Sequence, residues 1–242
     1  MKSERRPIVY FLHGLLSSAH YHFASQVEAW KEDLTLVPID LPGHGHCKLD
    51  APPRYFATAL SYTLGVMNRF GPGHVVAASL LGGPVAVRSA LQRPDLVRSL
   101  TLTGFVPDLP QGVFAIWVDG FKRLAAENQH LARWYDQMHG GRWTATLDRF
   151  EEDVKNYYAE DVCVTGLMLG QLRAPTLIAN GSLKSNERTT ALNAAQYGPA
   201  VRGSVIEGAG HIPSRDCPQE FNVAVRAFWE EVGVEPEVAV QK

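Results

Sequence analysis

The stretch His74–Pro84 reads HVVAASLLGGP. It opens as an apolar run, His74–Ala78, of the length of a buried strand, and closes on two glycines that lead into a helical pattern over Gly82–Leu91. Only Ser79, Leu80 and Leu81 lie between the two. A strand that turns this sharply into a helix is the building unit of a parallel sheet covered by helices.

The same alternation extends in both directions. Upstream, Ile8–Leu12 reads as a strand, His20 to Glu32 as a helix, Leu34–Ile39 as a strand ended by a turn-rich DLPGHG, and Arg54 to Phe70 as a helix. Downstream, Val97–Thr103 reads as a fourth strand. From Phe105 to Leu172 the pattern is helical only, with aromatics throughout. Alternation resumes with a strand at Pro175–Ala179, a helix over Glu187 to Ala195, a strand at Gly203–Ile206 and a last helix from Pro218 to Val232. The organisation expected is one α/β core, residues 1–104 and 173–242, interrupted by a helical insertion at 105–172. The tail from Gly233 is expected to fray.

Composition narrows the function classes. Of 242 residues, 45% are hydrophobic and 20% charged, which suits a packed globular chain and not a disordered one. Lys and Arg total 23 against 25 Asp and Glu, a net charge of −2, so no basic excess exists to neutralise a nucleic acid. No apolar run approaches the ~20 residues of a bilayer-spanning helix. The segment Met1–Pro7, short and charged, runs straight into a strand and does not read as a signal peptide. Cys47, Cys163 and Cys217 are odd in number and widely spaced, which points to a reducing cytoplasm and no metal. The pairs His20/His22 and His44/His46 lack helical spacing and a partner carboxylate, and are expected as solvated loop residues. No cofactor is called for. The partner expected is a small-molecule or peptide substrate.

Four landmarks then fall in order: Leu12-His13-Gly14 after the first strand, Asp40 to Gly45 after the second, Gly82-Gly83 after the third, and Gly208-Ala209-Gly210-His211 after the last. Together they resemble the α/β-hydrolase superfamily over nearly the whole chain. The resemblance implies a mostly parallel sheet with helices on both faces, makes the insertion a helical cap over the substrate pocket, and places His13 and His44 in turns expected to brace the pocket floor.

Family members carry their nucleophile at the strained tip of G-x-S-x-G. Anchored on Gly82-Gly83, the motif here reads Ala78-Ser79-Leu80-Leu81-Gly82 and puts Leu80, which has no lone pair, at the tip. The other register, Ala77-Ala78-Ser79-Leu80-Leu81, puts Ser79 there but loses both flanking glycines and puts a leucine in the crowded position. The acid turn G-x-x-D reads Gly181-Ser182-Leu183-Lys184, a lysine where a carboxylate is expected. Asp108 is the nearest acid after the fourth strand. His211 keeps the position of the base, at the carboxyl edge where open α/β sheets bind ligands. The resemblance also implies an oxyanion hole from the backbone N–H groups of Leu15 and Leu81. Gly14, Ser17, Ser79, Leu80 and Lys184 are expected at the pocket, with Trp117, Trp134 and Trp143 from the cap.

The leading expectation is therefore an enzyme with a degenerate triad, acting on a small carbonyl-containing substrate, natural products included. His211 and the oxyanion hole would carry out epimerisation, isomerisation, cyclisation or a lyase-type cleavage, because an enolate oxygen needs the same donors as a tetrahedral oxyanion. Two alternatives stand beside it: a serine esterase using Ser79, and a ligand-binding protein without turnover.

Overall fold

Six strands form the sheet: β1 (Ile8–Leu12), β2 (Thr35–Ile39), β3 (Gly73–Ala78), β4 (Val97–Thr103), β5 (Thr176–Gly181) and β6 (Val201–Ile206). All pair in parallel in the order β2-β1-β3-β4-β5-β6. The structure is a computed structural model that describes residues 6–233. The expectation of a fraying tail concerns residues past that range, and that of no leader at Met1–Pro7 falls largely before it.

The apolar runs sort by the two-residue period of a strand. Tyr10, Leu12, Val75, Ala77, Leu100 and Leu102 point to one face, where α3 (Tyr55–Phe70) and α4 (Gly82–Gln92) pack. Val9, Phe11, Val76, Ala78, Leu177 and Ala179 point to the other, against α1 (Ala19–His22), α2 (Ala24–Trp30) and α11 (Pro218–Glu231). Both faces are covered, which is why these strands read as continuous apolar runs and not as alternation. Pro38, which has no N–H for a ladder, sits in β2 at the sheet edge, where the missing donor is tolerated.

Sheet order locates the site. The chain leaves β1 toward β2 on one side and returns to β3 on the other, so the crossovers diverge at the carboxyl ends of β1 and β3. The loops that meet there are Gly14–Ser18 and Ser79–Leu81. They meet closely: a Cβ on Gly14 would collide with the Ser79 carbonyl oxygen, and one on Gly82 with that of Leu12. Glycine at these two positions lets backbone lie against backbone.

Between β4 and β5 the chain is helical, with α5 (Gln111–Glu127), α6 (Gln129–His139), α7 (Trp143–Asn156), a π-helical turn at Tyr158–Val162, and α8 (Gly166–Gly170). These helices are fastened to the core on one side. Gly45 N–H donates to His139 Nδ1 at 3.1 Å, and Arg142 donates to the carbonyls of Cys47 at 2.9 Å and Gly45 at 3.3 Å. Farther along, Arg54 binds Asp161 and the Phe56 N–H donates to Asp153 at 2.8 Å.

Two departures from the sequence reading matter for the site. The single helix expected over His20 to Glu32 is two, broken at Phe23, whose buried ring packs at 5.1 Å, tilted, on Phe11. Beyond β5, helix α9 (Ser185–Leu192) begins two residues earlier than expected, and a short α10 (Pro213–Asp216) precedes α11.

Candidate active site

His211 lies in the turn after β6, at the carboxyl edge of the sheet. That turn is laced to the one after β5: Leu183 N–H donates to Ala209 O at 3.0 Å, and Gly208 N–H to Ser182 Oγ at 3.0 Å. The imidazole Nδ1 is 2.6 Å from Glu187 Oε1. Glu187 is buried in the first turn of α9, where the helix dipole favours a carboxylate. Asn180, at the end of β5, holds this arrangement. Its amide donates to the carbonyl oxygens of Glu187 and Phe105, at 2.9 and 2.8 Å, and its Oδ1 accepts from the Phe105 N–H at 2.9 Å.

Where the sequence led to the expectation of no acid, a buried carboxylate stands at the ring. Lys184, the residue read at the acid turn, is exposed, and the chain coils into α9 directly after it. Three residues on, almost one helical turn, Glu187 reaches the His211 ring. Its signal in the sequence is a carboxylate at i of a buried i, i+3, i+4 stripe with Thr190 and Ala191. Asp108 plays a different part, accepting from the Gly166 N–H at 3.0 Å to start α8.

Ser79 and Leu80 both form the wall of a cavity of about 240 Å³ that His211 also borders. Gly14, Leu15 and Ser17 contribute from the loop after β1, and Phe121, Trp134 and Tyr135 from α5 and α6. His211, Leu80 and Phe121 border a second, more open cavity of about 520 Å³, with Trp117, Lys184 and Glu187. Trp143 reaches neither cavity. It stands behind Tyr135 at 5.3 Å and donates its indole N–H to Asp136 at 2.8 Å, so it supports the wall and does not form it.

The turn itself departs from the family geometry. Neither Ser79 nor Leu80 has a positive φ. The Ser79–Leu80 peptide is cis. Ser79 N–H donates to Thr103 O at 3.0 Å, extending the β3–β4 ladder by one residue. The Leu81 side chain is fully buried. Among the described residues, no acceptor takes the backbone N–H of either Leu15 or Leu81.

The loop after β1 rests on buried histidines. His13 Nε2 accepts from the Leu41 N–H at 3.0 Å, and His44 Nε2 from the Leu16 N–H at 3.2 Å. Their rings are 4.8 Å apart, and the His139 ring stands 5.3 Å beyond His44. Burial holds His13 below the usual imidazole range and His44 well below it, and brings His139 down to about 4. His22, in the cavity wall, is pushed down to about 3, first by burial and then by its neighbours His13, Arg215 and His211. The solvated state expected for His22 is thus wrong, because the residue is buried at the end of α1, while His44, with His13, braces the loop after β1. Among the described residues, no three His, Cys, Asp or Glu side chains are grouped to hold a metal ion, and no helix is long and apolar enough to cross a membrane.

The chain was compared with known proteins. A model of the alpha/beta hydrolase family matches residues 9–224. The crystal structure of NosK from Streptomyces actuosus is 48% identical, covers 95% of this chain and 100% of its own, and superposes with a TM-score of 0.92. The pimeloyl-[acyl-carrier protein] methyl ester esterase of Nitrosomonas europaea is 32% identical over 81% of this chain and 85% of its own. Esterase Rv0045c of Mycobacterium tuberculosis is 36% identical, but this match spans 43% of the chain and only 35% of that esterase. MenH from S. aureus, 19% identical with a TM-score of 0.76 and covering 96% of both chains, shares the fold. The chain belongs to the alpha/beta hydrolase family.

Proposed function

We propose that this protein is a serine enzyme that cleaves a carboxylic ester, with Ser79 as nucleophile, His211 as base and Glu187 as the carboxylate that orients it. The observation that carries this reading is the 2.6 Å bond between Glu187 and His211, together with the one cavity that His211 and Ser79 both border. A base whose Nδ1–H is held by a buried carboxylate keeps Nε2 free to take a proton, which is what a weak hydroxyl nucleophile requires. No direct bond joins Ser79 to His211 in the unliganded protein, and such bonds often tighten only around a substrate.

In the cycle that follows, Ser79 Oγ attacks the ester carbonyl while His211 Nε2 takes its proton. The oxyanion accepts from the Leu15 and Leu81 N–H groups, a pair of donors worth about 3–4 kcal/mol each in related chemistry. Collapse expels the alcohol, protonated by His211, and leaves an acyl-serine. Water activated by the same imidazole then releases the acid and restores Ser79. Two relatives named as esterases support an ester substrate, and the name of one extends the reading to an acyl group borne on a carrier protein.

A second reading has its own support. Registration on Gly82-Gly83 puts Leu80, not Ser79, at the family's nucleophile position, and Leu80 borders both cavities at His211. In this reading His211 and Glu187 act as a base alone and enolise a carbonyl substrate facing the oxyanion donors, as in an isomerase, epimerase or lyase. Stopped-flow hydrolysis of 4-nitrophenyl butyrate separates the two. The serine reading predicts a burst of one nitrophenolate per chain, absent in Ser79→Ala. Hydrolysis unaffected in Ser79→Ala, with deuterium wash-in from D₂O into a ketone ligand, contradicts it.

A further inference from the structure

One polar side chain of the cavity wall is left without a task by this chemistry. His22, the last residue of α1, is 5% exposed, and its Nε2 is buried with no hydrogen-bond partner among the described residues. Its ring packs on Phe23 with 4.7 Å between centroids. A phenylalanine would fill the same space without burying an unpaired polar atom, which costs stability. Burial and the surrounding His13, Arg215 and His211 keep the ring uncharged, at about 3. It therefore offers one donor and one acceptor nitrogen and not a charge.

The ring borders the cavity that holds Gly14, Ser79 and His211, and its Cε1 stands 3.5 Å from where a Cβ on Gly14 would be. Of the two cavities that meet at His211, this one contains the loop after β1 with Gly14 and Leu15, so the proposed ester chemistry assigns the carbonyl and its acyl chain to it. Ser17, His22 and Arg215 are polar groups of the core side of this wall, and Phe121, Trp134 and Tyr135 face them from α5 and α6. Arg215 is engaged by Tyr21, donating to its hydroxyl at 2.8 Å and lying 4.1 Å from its ring centroid. His22 is the deeper group.

We propose that His22 is a substrate-binding residue, hydrogen-bonding a polar group on the acyl chain near the reacting carbonyl. The site then selects acyl groups that carry a hydroxyl, amide or second carbonyl over plain hydrocarbon chains. Assignment of the acyl side rests on the ester reading above, but binding can be measured without turnover.

The test uses two anilides, which an esterase leaves intact: butyranilide and 3-hydroxybutyranilide. Their dissociation constants are measured by calorimetry on the full chain, on His22→Phe and on His22→Gln, with the melting temperature of each. One added hydrogen bond predicts about tenfold tighter binding of the hydroxylated anilide to the unmutated protein. The ratio falls to within about twofold in His22→Phe and is partly restored in His22→Gln, while His22→Phe melts at the same or a higher temperature. Equal binding of both anilides by the unmutated protein, binding of neither, or a preference that survives in His22→Phe overturns the proposal. Failure of Ser79 to act as a nucleophile would leave these ratios untouched.

Discussion

Glu187 Oε1 stands 2.6 Å from Nδ1 of His211, although the two residues come from different turns, 24 positions apart. The contact exists because β5 and β6 are neighbours and their carboxyl-end loops interlock. A carboxylate in this place fixes the tautomer of the ring and stabilises the imidazolium formed during proton transfer. Glu187→Gln keeps the shape, removes the charge and lets the amide donate to Nδ1, which presents the wrong tautomer to Ser79. The expected loss in kcat is on the order of 10⁴-fold with the fold intact. Steady-state kinetics alongside circular dichroism check it.

Acid stability follows from the histidines. His13, His22, His44, His74 and His139 are all buried, and burial lowers each of them in the folded protein. In the unfolded chain they titrate near 6.5. Between that value and about 4, where His74 and His139 titrate when folded, the unfolded state binds protons that the folded state refuses. Stability is therefore complete above the unfolded value and falls as pH falls, by up to about 1.4 kcal/mol per pH unit for each such ring. Urea unfolding at a series of pH values should show a steep loss between pH 6 and 4. His74→Phe, whose ring lies away from the cavity wall, should flatten that loss.

Much of the fold could be read from the chain because each strand is a short apolar run bounded by turn residues, and both sheet faces are covered. Gly82 carried the strand-to-helix turn, since only a residue without Cβ passes Leu12 so closely. Glu187 was not legible in the same way. The motif has its acid in the turn, whereas the carboxylate at His211 stands in the helix that follows, where it resembles any first-turn residue until its partner in a distant loop is known. The state of His22 was hidden for a similar reason. The break at Phe23 that turns α1 depends on packing against Phe11, a tertiary contact that helical periodicity does not encode.

Backbone proximity predicts a further effect. Gly14→Ala places a methyl group against the Ser79 carbonyl, so the loop after β1 must withdraw and carry the Leu15 N–H with it. Losing one oxyanion donor costs about 10²–10³-fold in kcat in related enzymes, and a loss of that size is expected here with little change in KM. Hydrolysis of 4-nitrophenyl butyrate over a range of concentrations separates the two constants.

Arg142 predicts how the cap is held. Its guanidinium donates to the Cys47 and Gly45 carbonyls beside the bond from Gly45 to His139. Arg142→Ala removes charge-assisted bonds worth about 1.5–3 kcal/mol together. Amide exchange should rise at the start of α7 and in the 43–49 loop while β3 and β4 remain protected. Uniform exchange across the sheet would mean that the cap is not fastened here.

Every activity predicted above depends on residue 79 being the nucleophile served by His211 and Glu187. A fluorophosphonate probe followed by peptide mass spectrometry measures this directly. The result predicted is one adduct per chain on Ser79, formed much more slowly in Glu187→Gln and His211→Ala and not at all in Ser79→Ala. A folded, unlabelled protein, or an adduct that persists in Ser79→Ala, would contradict it.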